Sequence, residues 1–487
     1  MRHVGVAICA LALASCAVGP NYKRPSAPVT AEFKEAAGWK ISTPNDAALR
    51  GSWWTVYGDP VLTDLVTQVQ ASNQNIRAFE AAYRQSVALV RQSRSGLFPT
   101  LNASGSVTRS ERGSGGTIRS GVGGTITTAT GPTTIYSADL GASWDIDLWG
   151  RIRRTIESNK ASAQASAADL ANATLSAQAQ LVTAYFELRV QDELKGLLDQ
   201  TTAGYQESFQ IAQNKYTQGT VSKADVAQAE TQLRNAQSQA ISVTLQRAQL
   251  EHAIAVLIGK APGELNLQRA EFTVAPPEAP LAVPSMLLER RPDVAAAERR
   301  MAAANAQIGV AISAYFPDLS IGGSYGYSST SLNSLFQTAN RFWSLGPQAA
   351  LTLLDFGARG AQVERSRAAY DQQVATYRQT VLTALAQAED QLIAVRLLGE
   401  QGAIQNQAVA AAEEAQRIAR NAYRAGLTDF TTVASAQAAA LSSEQSALTI
   451  RRNQLTASVA LIQALGGGWQ AEQMNAPPIQ RVSTPQG

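Results

Sequence analysis

Histidine, cysteine and methionine are nearly absent from this 487-residue chain, which has 2 His, 2 Cys and 4 Met. His3 lies at the extreme N-terminus, so His252 is the single imidazole in the body of the chain. No His-based acid–base pair and no His/Cys metal set can be assembled from that stock. HExxH, paired CxxC and GxxxxGK[ST] stretches are missing as well, which leaves no catalytic, cofactor or metal site to be read, and the chain reads as a non-enzyme. Charge of one sign is also lacking. The 41 Lys and Arg nearly balance the 38 Asp and Glu, so a nucleic-acid partner is not expected. Beyond the N-terminal run, apolar stretches are too short and too broken by Gln, Arg and Glu to form a spanning helix. If the chain crosses a membrane, it does so as a closed barrel. Aromatic residues make up 6% of a chain that is 45% hydrophobic. Much of the apolar content is alanine, which suits closely spaced helices better than a thick core.

What is present begins with Arg2 and His3 followed by an apolar run from Val4 to Ala14. This run has the length of a signal-peptide core. It ends in Leu13-Ala14-Ser15-Cys16, which resembles a bacterial lipobox. The expectation is a removable signal peptide over 1–15 and a lipid on Cys16 that anchors the chain in membrane lipid. Cys9 would leave with the signal, so no intrachain disulfide can form. Ala17 follows the cysteine, where an Asp would resemble an inner-membrane retention signal.

The chain is duplicated. The proline-free stretches 133–261 and 348–476 superimpose at an offset of 207, which brings Trp149-Gly150 onto Phe356-Gly357, Tyr216 onto Tyr423, Gly219 onto Gly426 and Gly259 onto Gly466. Ahead of them an offset of 218 brings Glu80 onto Glu298 and Phe98-Pro99 onto Phe316-Pro317. Each unit reads helix, strand, strand, long helix, turn, helix. The expected organisation is a signal peptide over 1–15, a lipidated and equatorial segment over 16–59, and a first repeat over 60–261. A linker over 262–284, a second repeat over 285–467 and a tail over 468–487 complete it.

Strands are expected at about 99–108, 136–148, 317–328 and 342–354, where apolar and polar residues alternate. Leu101, Ala103, Gly105 and Val107 thus share one face, as do Tyr136, Ala138, Leu140, Ala142 and Trp144. The runs have the length of tilted membrane strands, and the Tyr and Trp near their ends suit interfacial girdles. The Gly-, Ser- and Thr-rich stretch 109–134 reads as a loop. Four strands cannot close a barrel, and eight make one filled by its own side chains. Twelve, from three chains, are the smallest set that leaves an open lumen. The helix from Gly150 to about Lys215 would span roughly 100 Å at 1.5 Å per residue. The preceding helix, about Pro60 to Leu97, and the return helix, about Ser222 to Ile258, are short enough to equal it when stacked. Each chain then supplies four rods and a trimer twelve, matching twelve strands. Apolar spacings of four and seven, as in Leu170, Ala177, Leu181, Ala184 and Leu188, indicate coiled-coil packing. Both hairpins turn at a glycine, Gly219 and Gly426, at the ends farthest from the strands. The expected fold is therefore mainly α with a membrane β-barrel: a trimeric twelve-stranded barrel continued by a twelve-rod coiled-coil barrel.

The stretches Cys16-Ala17-Val18-Gly19-Pro20-Asn21-Tyr22-Lys23-Arg24-Pro25, Trp53-Trp54 with Asp59-Pro60, Leu288-Glu289-Arg290-Arg291-Pro292-Asp293-Val294 and Ala314-Tyr315-Phe316-Pro317 carry a family likeness. With the duplication, the chain resembles TolC-like outer-membrane efflux factors of the NodT-type lipoprotein branch. The resemblance implies a homotrimeric, passive channel in the outer membrane with its helical barrel in the periplasm. It would dock on a periplasmic adaptor and an inner-membrane pump, chiefly of the resistance–nodulation–division type. A type I secretion duct and a structural trimeric coiled-coil surface lipoprotein are the alternatives. The resemblance makes Gly219, Thr220, Val221, Ser222, Gly426, Leu427 and Thr428 the adaptor-docking residues. It implies a tip gate, which here involves Tyr423, Thr431, Thr432 and Ser435, with Asp225 in the first repeat. Where the family often carries aspartates shortly after the second turn, this chain has Thr432 and Ser435, which puts a cation-binding aspartate ring in doubt.

Overall fold

The computed structural model describes residues 17–27, 34, 52–111, 132–270, 272, 274, 290–470 and 474–475. The expected signal peptide, Cys16, most of 28–51, the 275–284 part of the linker and most of the tail lie outside the described residues. After a 3₁₀ turn (Trp53–Tyr57) come α1 (Pro60–Ser72), α2 (Gln74–Ser95), β1 (Thr100–Glu111), β2 (Pro132–Asp145), α3 (Arg151–Thr217) and α4 (Lys223–Leu257). The second half holds α5 (Pro292–Ser313), β3 (Asp318–Ser329), β4 (Arg341–Ala350), α6 (Ala358–Arg424) and α7 (Phe430–Ala464).

The duplication is reproduced residue for residue. Helices α3 and α6 each have 67 residues and begin 207 apart, at Arg151 and Ala358. Helices α4 and α7 each have 35 residues, beginning at Lys223 and Phe430. The offset of 218 relates α2 to α5, each of 22 residues, and β1 to β3, each of 12.

Two expected elements differ. The helix expected over 60–97 is broken at Asn73, whose backbone is extended (φ −62°, ψ 125°). The Asn73 side chain makes the break cheap: its amide donates to Leu257 O at 2.8 Å, and its oxygen accepts from Ile76 N at 3.1 Å. The strand limits also shift. β1 runs on to Glu111 because β2 starts at Pro132 and pairs with it, so the expected loop narrows to 112–131, outside the described residues. β2 stops at Asp145, because Asp147 turns to accept from Ile152 N and Arg153 N at the start of α3. β4 stops at Ala350 because its last partner, Asp318, is the first residue of β3. Residues 351–354, expected in the strand, have no strand partner among the described residues.

The chain divides into two compact units. In one, the strands form a single antiparallel sheet in the order β1-β2-β3-β4. Residues 17–22 are strapped to the helices of this unit. The buried Arg154 guanidinium donates to Val18 O, Gly19 O and Asn21 Oδ1 at 3.2, 3.2 and 2.9 Å, and Asn305 Nδ2 donates to Pro20 O at 3.0 Å. A Cβ on Gly19 would lie 2.5 Å from the Cα of Gly309.

The other unit is helical. Its largest core packs Trp53, Tyr57, Leu62, Tyr185, Phe186, Ile254 and Leu455 together. Asp59 caps α1 through Val61 N and Leu62 N, and it also accepts from the Tyr185 hydroxyl at 2.6 Å. Two arginines hold the described part of the linker. Arg247 donates to Asp192 at 2.6 Å and to Leu267 O at 2.5 Å. Arg451 donates to Glu193 at 2.9 Å and to Phe272 O.

The end of α7 is closed by Gly466 (φ +92°), where a Cβ would meet Arg290 O at 2.1 Å. Gly219, just past the C-terminal end of α3, also has positive φ (+73°) but open space around it. Gly466→Ala should therefore lower the thermal midpoint well beyond the effect of about 1–2 kcal/mol expected of Gly219→Ala from left-handed strain alone. Equal effects in a melting series would contradict the close approach.

Candidate functional site

The sheet has two chemically distinct faces, and the register keeps them distinct across all four strands. Leu101 pairs with Ala142, Ala103 with Leu140 and Val107 with Tyr136. Leu140 pairs in turn with Tyr325, and Trp144 with Ile321. Tyr325 pairs with Trp343. Leu101, Val107, Trp343 and Leu345 are 71%, 66%, 70% and 72% exposed, so among the described residues nothing covers this apolar face. The opposite face is laced by hydroxyls and a carboxylate: Ser104 to Asp139, Ser106 to Ser137 and Ser324 to Ser344, each at 2.7 Å. Among the described residues the sheet is open, with β1 and β4 as unpaired edges. No described helix is long and apolar enough to cross a membrane.

At the junction of β2 with α3, Trp149 stacks on Phe316 with ring centroids 4.6 Å apart, and its indole donates to Pro317 O at 2.9 Å. The duplicate positions, Phe356 and Phe98, are 93% and 67% exposed. Phe356 has φ +51°, the one non-glycine residue with positive φ among those described.

The two hairpin turns share one backbone. Gly219 N donates to Tyr216 O at 2.9 Å and Thr220 N to Lys215 O at 2.9 Å. Gly426 N and Leu427 N repeat the pattern with Tyr423 O at 3.1 Å and Ala422 O at 2.9 Å. This paired closure needs a left-handed residue after the last helical one. Gly219, Thr220 and Ser222 are exposed, as are Gly426 and Leu427, while Val221 and Thr428 are half-buried. Leu427 is 81% exposed.

The second turn is packed differently from the first. Tyr423 and Phe430 meet edge to face at 5.6 Å inside a cluster with Val433, Ala434, Ala212 and Ala229. Lys215 Nζ sits 4.0 Å from the centre of the Tyr423 ring and donates to Tyr423 O at 2.6 Å. The Tyr423 hydroxyl is buried with no partner among the described residues. Burial, and then the charge of Asp225, push its pKa up. Arg424 pairs with Glu207 across the hairpins, and Gln437 Nε2 donates to Ser208 Oγ at 3.1 Å. The structure thus gathers Tyr423 into the core, whereas Thr431, Thr432 and Ser435 stay exposed. Lys215, Glu207 and Gln437 escaped the sequence reading because they pack between hairpins, which periodicity within one helix does not reveal.

The two hairpins cap their return helices with exchanged partners. In the first hairpin Ser222 caps α4, and Asp225 accepts from Ser222 N at 3.0 Å, a capping box. Ser222 corresponds to Asp429 and Asp225 to Thr432. The second hairpin exchanges the partners: Asp429 Oδ1 accepts from Thr432 N at 2.9 Å and from Thr432 Oγ1 at 2.6 Å. These bonds hold the Asp429 carboxyl below the usual carboxylate range.

A two-faced, four-stranded sheet and two long helical hairpins are the elements of an outer-membrane channel subunit. The family model described as Outer membrane efflux protein matches residues 65–260 and 283–467, one segment per repeat. The chain belongs to this family and is the outer-membrane component of an efflux system. It is 30% identical over 490 residues to the probable efflux pump outer membrane protein TtgC of Pseudomonas putida KT2440, covering 99% of both chains. It is 31% identical over 470 residues to the solvent efflux pump outer membrane protein SrpC of Pseudomonas putida, covering 95% of this chain and 97% of that one. The solved outer-membrane channel OprN is similar at 29% identity and a TM-score of 0.85, covering 93% of this chain and 100% of that chain. These relatives are channel and efflux proteins, not enzymes.

Two outcomes follow at the second tip. Tyr423→Phe removes a buried hydroxyl that has no partner, so thermal unfolding of the variant should match or exceed the parent; a clear loss of stability would mean the hydroxyl is bonded after all. Because the Asp429 pKa is lowered, its cap is present above the ordinary aspartate range and is lost as pH falls through the lowered value. Hydrogen exchange at the start of α7 should therefore speed up, beyond the solvent effect, at low pH in the parent but not in Asp429→Ala; matching profiles would refute the cap.

Proposed function

We propose that three copies of this chain close head to tail into a twelve-stranded outer-membrane barrel continued by twelve helical rods in the periplasm. This channel passively conducts substrates delivered by a periplasmic adaptor and an inner-membrane pump of the resistance–nodulation–division class. The observation that carries the reading is the open sheet, with an uncovered apolar face and two unpaired edges. In lipid those edges must be paired, and identical copies supply the partner. Substrate choice then rests with the pump, because the polar face offers hydroxyls rather than a shaped pocket.

The adaptor meets the turns Gly219–Ser222 and Gly426–Thr428, a role supported by the exposed Leu427 and by Tyr216 at 44% exposure. Tyr423, Asp225 and the first turn of α7, with Thr431, Thr432 and Ser435, form the periplasmic gate. With Thr432 in place of an acid and the carboxylate engaged at Asp429, this gate closes by packing rather than by an aspartate ring. Cys16 carries the lipid, an assignment supported by its lipobox-like context and by the strap that fixes the residues just after it.

The test is single-channel recording of the purified lipoprotein in a planar bilayer, with its native mass. Trimer mass, lipid on Cys16 and a small conductance that rises several-fold in Thr432→Ala or Ser435→Ala are expected. A monomer, or a trimer that never conducts with any tip substitution, would overturn the channel reading.

A further inference from the structure

The duplication relates more than the two halves of one chain. Adding 218 to a residue of β1 and 207 to a residue of β2 carries the first strand pair onto the second. The pair Thr100↔Ser143 becomes Asp318↔Ala350, which is the pairing found between β3 and β4. The operation therefore already yields one correct register. Applied to the seam between β2 and β3, it carries β2 onto β4 and, run backwards by 218, β3 onto β1. Those are the two unpaired edges. Within one chain β1 and β4 lie at opposite ends of the sheet order, so the partner is a second copy.

We infer that β4 of one copy pairs antiparallel with β1 of the next in one defined register, and that Phe356 of the first stacks on Phe98 of the second. The inference rests on the proposed ring of three copies. Asp145↔Ser320 becomes Thr352↔Asn102, Trp144↔Ile321 becomes Leu351↔Ala103, and Ala142↔Gly323 becomes Ala349↔Gly105. The hydrogen bond from Ile146 N to Leu319 O, at 2.8 Å, becomes one from Leu353 N to Leu101 O.

Three independent features agree with this register. It keeps the faces matched, since Leu351 and Leu353 fall opposite Ala103 and Leu101 on the apolar face, and Thr352 falls opposite Asn102 on the polar one. It accounts for residues 351–354: the matching end of β2 stays in the sheet through Asp145 because β3 flanks it, whereas β4 lacks that flank within one chain. Lastly, it employs two exposed rings. Trp149 stacks on Phe316 across the β2–β3 seam. Their duplicates Phe356 and Phe98 stand 93% and 67% exposed.

The experiment is cysteine cross-linking of the full-length protein in outer membranes under mild oxidation. A chain carrying both Asn102→Cys and Thr352→Cys should give interchain dimers and trimers on a non-reducing gel. Either single variant should give none. The displaced pair Ser104→Cys with Thr352→Cys should cross-link several-fold less. Stronger cross-linking by the displaced pair, with trimer mass retained, would overturn the register and leave the ring standing. A monomer mass with no cross-link in either pair would remove both. As a second readout, trimer dissociation on heating should be equally weakened by Phe98→Ala, by Phe356→Ala and by the double variant. Additive losses in the double variant would overturn the stacking.

Discussion

Every backbone N–H and C=O that enters lipid must find a partner inside the protein, because the hydrocarbon offers none. That rule governs this chain more than any single contact does. β1 and β4 each present one unpaired edge, and the apolar face between them is exposed. An isolated copy in lipid would leave both edges unsatisfied, so the sheet makes sense as a sector of something closed. The alternation of side chains and the polar ladder of serines give the sheet one apolar and one polar face, the pattern of membrane strands.

Duplication supplies the economy of this chain and also its asymmetry. The helices repeat to the residue, yet the side chains at equivalent places have parted ways. Tyr216 is 44% exposed, whereas its counterpart Tyr423 is 3% exposed in the cluster between hairpins. Lys215, which reaches over the Tyr423 ring, has Ala422 as its own counterpart. The hydroxyl and carboxylate of the helix cap have changed places between Ser222–Asp225 and Asp429–Thr432. One backbone thus provides two turns with different surfaces.

Much of this was legible from residues alone, because the signals are local or periodic. Gly219 and Gly426 mark turns by the conformation they allow, and strict alternation in Tyr136–Trp144 marks a two-faced strand. The 207-residue offset between Trp149 and Phe356 fixed the repeat to the residue. What failed to show was set by long-range partners. Asn73 breaks a helix only because Leu257 O is there to receive its amide. β4 ends early because β3 begins at Asp318. Position 432 looked like a missing acid until the carboxylate was found at Asp429. The docking and gate residues drew on family likeness, since exposed turns have no pattern of their own.

The strap over residues 17–22 has a consequence for biogenesis. Arg154 supplies one side of its seat, but Asn305 and Gly309 supply the other, nearly three hundred residues further along the chain. Contacts so distant in sequence form late. The seat of the leading segment is therefore complete only once both repeats are folded. Its capture marks a chain whose two halves are both in place.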